Sequence, residues 1–93
     1  MGNHDELFRS LVPCPVLEDN EIAEMHFRIY DSVTYDYALK ISYWEPIYGK
    51  LGVISTVKGA VKQLDAINKK IKLADKDEDF IWIKLDSITS ISK

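Results

Sequence analysis

The hydrophobic period of the chain changes once. From Asp19 to about Thr34, Ile22, Met25, Ile29 and Val33 recur at spacings of three and four, which is one face of an α-helix. His26 and Tyr30 lie beside that stripe. Asp19 or Asn20 can cap the helix by accepting a bond from an otherwise orphaned backbone N–H. Glu21 and Glu24 stand in the first turns, where the helix dipole favours negative charge.

From Ala38 the period becomes two. Leu39, Ile41 and Tyr43 alternate with Lys40, Ser42 and Trp44, which predicts a strand. The segment from Glu45 to Gly49, with Pro46 inside it, reads as a turn. A longer second strand follows from Leu51 to Leu64, interrupted by Gly52 and Gly59. Glycine within a strand often marks a bulge or a barrel corner, so a strand bent at Gly59 would serve two faces of a small barrel. Asp65-Ala66-Ile67-Asn68 reads as a hairpin connection. The third strand, Lys69 to Ala74, turns Ile71 and Leu73 inward and Lys70 and Lys72 outward. Asp75 to Asp79 is a charged loop. In the fourth strand, Phe80 to Leu85, Ile81, Ile83 and Leu85 share one face, and Phe80, Trp82 and Lys84 the other. Asp86-Ser87-Ile88 leads into a fifth strand around Thr89 to Ser92.

This pattern predicts a mainly β domain with an N-terminal α-helix. Residues 18–93 form the domain, with a helix over about 19–34 and a small five-stranded antiparallel barrel over about 38–92. Barrel closure would remove the sticky edges of a small open sheet. Residues 1–17 read as a flexible N-terminal segment, because Pro13 and Pro15 around Cys14 exclude a continuous helix. Leu7, Phe8, Leu11 and Val12 allow one docking turn there.

The length of 93 residues is enough for one domain and not two. At 46% hydrophobic and 29% charged, the composition argues against global disorder. No apolar run approaches the roughly 20 residues of a membrane span, and Met1 to Arg9 lacks the features of a secretory signal. The single cysteine, Cys14, has no internal partner, as expected of a reducing compartment. A cytoplasmic location follows.

Catalytic chemistry finds little support. One cysteine and two histidines, His4 and His26, fall short of a paired zinc-ligand pattern. Cys14 has no motif supplying a base to form its thiolate. The acids Asp75, Asp77, Glu78 and Asp79 lack the central Gly and ligand spacing of a calcium loop. Gly49, Gly52 and Gly59 sit in strands and form no phosphate fingerprint. We expect no catalytic residue, no metal site and no cofactor, so a non-enzymatic protein.

Charge is uneven along the chain. Residues 1–37 hold two bases against eight acids, and residues 38–93 hold ten lysines against seven acids. Lys58, Lys62, Lys69, Lys70 and Lys72 fall on neighbouring predicted strands, and Tyr43, Trp44, Tyr48 and Trp82 offer rings for stacking. A basic strip with aromatics is what single-strand nucleic-acid binding uses. The sequence pI of 5.3 weighs against it. Tyr35, Tyr37, Tyr43, Trp44 and Tyr48 cluster around the helix–barrel junction, and such residues are enriched at protein interfaces. Tyr43, Trp44 and Tyr48 are the candidate partner-binding residues.

The succession from Lys40 to Ser92 resembles the YolD-like family. The matching positions are Tyr43 and Trp44, then Gly59 and Val61, then Leu64, Asp65 and Asn68. Ile71 and Leu73 follow, then Leu85, Asp86, Ile88 and Ile91. The resemblance covers residues of about 18–93, and Leu11-Val12-Pro13 is at best a remnant of a Leu-Pro-Glu-His-like stretch in the family. It implies a barrel of SH3-like or Sm-like type. It also implies a non-catalytic accessory protein of translesion DNA synthesis, with a Y-family DNA polymerase as protein partner. The alternative is a small barrel that binds nucleic acid through its lysines. Homo-oligomerisation through barrel edges, as in Sm-like rings, is compatible with either.

Overall fold

The computed structural model describes residues 11–77 and 79–93. The readings placed on residues 1–10 and on Glu78 lie outside the described residues.

The helical period folds as α1, Asp19–Tyr35. Its cap is Glu18, not Asp19 or Asn20. The Glu18 N–H donates to Glu21 Oε1 at 3.2 Å, and its carbonyl accepts the Ile22 N–H at 3.0 Å. At the other end Asp36 adopts a left-handed φ of 53°. Its N–H donates to the Ser32 carbonyl at 2.8 Å, which closes the helix.

The strands are β1 (Val12–Pro13), β2 (Ala38–Tyr48), β3 (Leu51–Asp65), β4 (Lys70–Ala74), β5 (Phe80–Lys84) and β6 (Ile88–Ser92). They form one antiparallel sheet in the order β5-β4-β3-β2-β6, and β1 pairs with the start of β3. β1 lies in the segment read from sequence as flexible. β2 continues to Tyr48 through most of the predicted turn at Glu45–Gly49, with a register shift between Pro46 and Tyr48, and the turn itself falls on Gly49 and Lys50. The proline is accommodated because β6 pairs only along Lys40–Tyr43. At Pro46 β2 is therefore an edge strand, and the missing N–H costs no ladder bond there.

The expected closed five-stranded barrel is not what forms. Among the described residues there are six strands, and no ladder joins β5 to β6. The chain nevertheless passes from one edge to the other through a three-residue turn, Leu85–Ser87. Four residue steps reach at most about 14 Å, whereas the edges of a flat five-stranded sheet lie about 19 Å apart. The sheet is therefore strongly coiled, yet its edges are not joined by hydrogen bonds. α1 packs against β3 and β6 over the concave side.

β3 makes the coil. Its first part, to Ala60, pairs with β2, and its last part, from Ala60, pairs with β4. At Gly59 a Cβ would lie 2.3 Å from the Ala74 carbonyl oxygen, so only glycine lets the two strands approach this closely. An irregularity between Val61 and Gln63 leaves Lys62 as the extra residue.

Met25 and Ile29 from α1 meet Leu39, Ile41, Ile71 and Leu73 from the sheet in the core. Two residues of the predicted helix stripe sit at its margin, Ile22 being 36% and Val33 40% exposed. Ser32 is buried in their place. Its Oγ donates to the Tyr37 carbonyl at 2.7 Å and accepts the Val61 N–H at 3.2 Å. One hydroxyl thus ties the helix to β3 beside the irregularity.

Candidate functional site

α1 is apolar on more than its core side. Phe27 is 70% and Tyr30 59% exposed. At 3.6 residues per turn, Ile22, His26, Tyr30 and Val33 form one row, with Phe27 beside it. Beneath that row is a cleft of about 440 Å³, lined by Leu17, Ile22, Met25, Ile29, Leu64 and Leu85, with His26, Lys69 and Asp86 also on its wall. The flanks of α1 are acidic, with Glu24 and Asp31. Arg28 is engaged by Glu24 at 3.1 Å. This side of the molecule is an apolar surface bordered by negative charge. The sequence places Ile22 and Val33 in the helix stripe and His26 and Tyr30 beside it, but gives Phe27 no role and the row no function. The available signal was that large apolar residues, Ile22, Val33, Tyr30 and Phe27, continue around the helix past one side of its buried stripe.

The aromatic junction is not one cluster. Tyr43 and Trp44 are adjacent in β2 and point to opposite faces of the sheet. Tyr43 packs against the core, and burial, with the Glu45 charge adding, pushes its phenol pKa up. Trp44 folds across β3, where its Nε1–H donates to the Val12 carbonyl at 2.8 Å. Gly52 makes this approach possible, since a Cβ there would lie 2.8 Å from the indole and 2.0 Å from the Glu45 carbonyl oxygen. Trp44 therefore fastens β1 to the sheet. Tyr48 is 66% exposed at the end of β2. The Tyr37 hydroxyl donates to Asp31 Oδ2; this bond first, and burial second, raises its pKa.

The lysine strip divides. Lys70 and Lys72 share the outer face of β4, and Lys58 lies on the outer face of β3 opposite Lys40. Lys62 is held 2.6 Å from Asp36 Oδ1. Lys69 takes a left-handed φ of 54° in the hairpin, where its carbonyl accepts the Leu85 N–H at 2.9 Å. The structure thus places Lys70 and Lys72 over the rings of β5, Lys58 in the β2–β3 half of the sheet, Lys62 beside Phe80 and Asp75, and Lys69 in the hairpin. It adds Lys40, Lys84 and the rings of Phe80 and Trp82 on the same outer face. The two-residue period already places Lys40 and Lys84 there.

Two loop carboxylates, Asp65 and Asp75, are occupied locally. Asp65 accepts the N–H groups of Ile67 and Asn68 at 3.1 and 3.0 Å. The bonds from Asn68, backbone before side chain, hold its carboxyl below the usual range. Asp75 Oδ1 accepts the N–H groups of Asp77 and Asp79 at 2.8 and 3.0 Å. Among the described residues, no group of three His, Cys, Asp or Glu is placed to hold a metal ion. No helix among them is long and apolar enough to cross a membrane.

One acidic, partly apolar helix on a coiled antiparallel sheet, with lysines and rings on the far face, defines a small domain that offers surfaces. A family model described as YolD-like protein matches residues 9–92. The chain belongs to the YolD-like family. No curated protein matches it significantly, and neither does any solved structure.

Proposed function

We propose that the chain is a non-catalytic accessory protein of translesion DNA synthesis in the cytoplasm, acting through a Y-family DNA polymerase as its protein partner. The family resemblance supplies the process. The observation that supports a protein partner is the exposed Ile22–Tyr30–Val33 row with Phe27, set over an apolar cleft and bordered by Glu24 and Asp31. Aromatic anchors beside a pocket are what interface hot spots are made of, and the acidic border suits a basic rim on a DNA-handling enzyme. In fold terms we read the coiled sheet as SH3-like or Sm-like, left open at one seam.

The test is calorimetric titration of the chain with the purified Y-family polymerase of its own host. Phe27→Ala with Tyr30→Ala should weaken binding at least tenfold at unchanged thermal stability. Tyr48→Ala probes the β2 end as a second contact. Equal affinity of the wild type and the Phe27/Tyr30 variant would remove α1 from the interface.

A further inference from the structure

The far face of the sheet is a second surface, built of different chemistry. Phe80 and Trp82 stand two residues apart on β5, so their side chains project from one face about 6.7 Å apart. They are 55% and 45% exposed. Lys72 Nζ lies 4.2 Å from the Phe80 ring centre, and Lys70 Nζ 4.6 Å from that of Trp82. Lys70 faces Lys84 across the ladder, and Lys40 faces Lys58 in the other half of the sheet.

Like charges directly opposite one another destabilise a sheet. The ion pairs among the described residues, Arg28–Glu24 and Lys62–Asp36, involve none of these five lysines. Asp65 stands opposite Lys70 on β3; its carboxylate bonds chiefly to Ile67 and Asn68 in its own hairpin, with the Lys70 charge a smaller influence. The acids of α1 lie across the core, on the concave side. The five lysines of this face outnumber the acids beside them, Asp65 opposite Lys70 and Asp75 next to Phe80, and the positive excess attracts a polyanion.

We infer that this face binds single-stranded nucleic acid, with bases stacked on Phe80 and Trp82 and phosphates against Lys70, Lys72 and Lys84. The two-residue repeat of β5 favours a single strand. Successive nucleotides in a duplex strand rise about 3.4 Å, half the repeat that separates Phe80 from Trp82 along the strand, so residues at that repeat match neighbouring bases only when these are unstacked. The lysines over the rings do not block the site. An exposed cation–π contact is weaker than base–aromatic stacking, so an arriving base displaces the ammonium toward a phosphate. An acidic peptide would meet the lysines but leave the two rings without a stacking partner. The inference is independent of the polymerase reading.

The test uses the full chain and a fluorescein-labelled 20-nucleotide oligothymidine, followed by anisotropy between 50 and 200 mM salt. Binding should weaken with a log–log salt slope of about −2, as about three phosphate contacts require, and should quench tryptophan fluorescence. Trp82→Ala should lower affinity between about 5-fold and 150-fold at an unchanged slope. Lys70→Gln with Lys72→Gln should flatten the slope by about 1.4. Each variant is first checked for wild-type circular dichroism. No binding at 50 mM salt, tighter binding of a 20-base-pair duplex or of a poly-glutamate peptide, or indifference to both sets of substitutions would overturn the inference.

Discussion

Ser32→Ala isolates the contact that joins helix to sheet. The hydroxyl accepts the Val61 N–H at 3.2 Å and donates to the Tyr37 carbonyl at 2.7 Å, and both Ser32 and Val61 are buried. Removing the oxygen leaves the Val61 amide without its partner in a place water does not reach, at a cost of about 1–3 kcal/mol. The Tyr37 carbonyl is less buried and regains water, so it adds little. Alanine is the better helix former by roughly 0.5 kcal/mol, which acts in the opposite direction. The expected net loss is about 1–2 kcal/mol, or about 10 °C in melting temperature for a domain of this size. Urea unfolding followed by the fluorescence of Trp44 and Trp82 measures it, with the exposed Thr34→Ala as a control that should stay within about 0.5 kcal/mol. A Ser32→Ala midpoint equal to that of the control would refute the reasoning, since helix propensity alone favours the variant.

Gly59→Ala would place a Cβ 2.3 Å from the Ala74 carbonyl oxygen; β4 must retreat, and a loss of about 2–3 kcal/mol or failure to fold is expected in thermal melts. Trp44→Phe removes the indole donor to the Val12 carbonyl, so amide exchange at Val12 and Gly52 should accelerate while that of the core strands stays slow. Asp65 has a depressed carboxyl pKa, chiefly through the bonds from Asn68. Its contribution is therefore complete above the ordinary carboxylate value and is lost as pH falls below about 4. Asp65→Asn should lose less stability than wild type on acidification from pH 5 to pH 2.5, read by urea midpoints; parallel curves would exclude the Asp65 contribution.

What the sequence disclosed depended on whether a residue's role is set by its own element. The alternation of Leu39 and Ile41 with Lys40, and of Ile71 and Leu73 with Lys70 and Lys72, reports strand faces directly, and the faces are as the alternation implies. Which edges pair is a different matter, because periodicity says nothing of how far a sheet coils. Barrel closure is therefore not legible from alternation, and β5 and β6 do not pair. Pro46 reads as a turn residue from local sequence, because its cost in a strand depends on whether β6 extends beside it, which local sequence does not show. Ser32 was invisible for the same reason: only the interrupted ladder at Val61 makes a buried hydroxyl useful. Alternation likewise puts Lys70 and Lys72 on one outward face, but it does not show the irregularity that makes Lys62 an extra residue or the left-handed backbone at Lys69.

Affinity capture of the tagged chain from its own host after DNA damage, with nuclease treatment and identification by mass spectrometry, tests the accessory-protein account most directly. The account expects a Y-family polymerase that survives nuclease and is lost with Phe27→Ala and Tyr30→Ala. Recovery without any polymerase, or a polymerase that disappears on nuclease treatment, would contradict it.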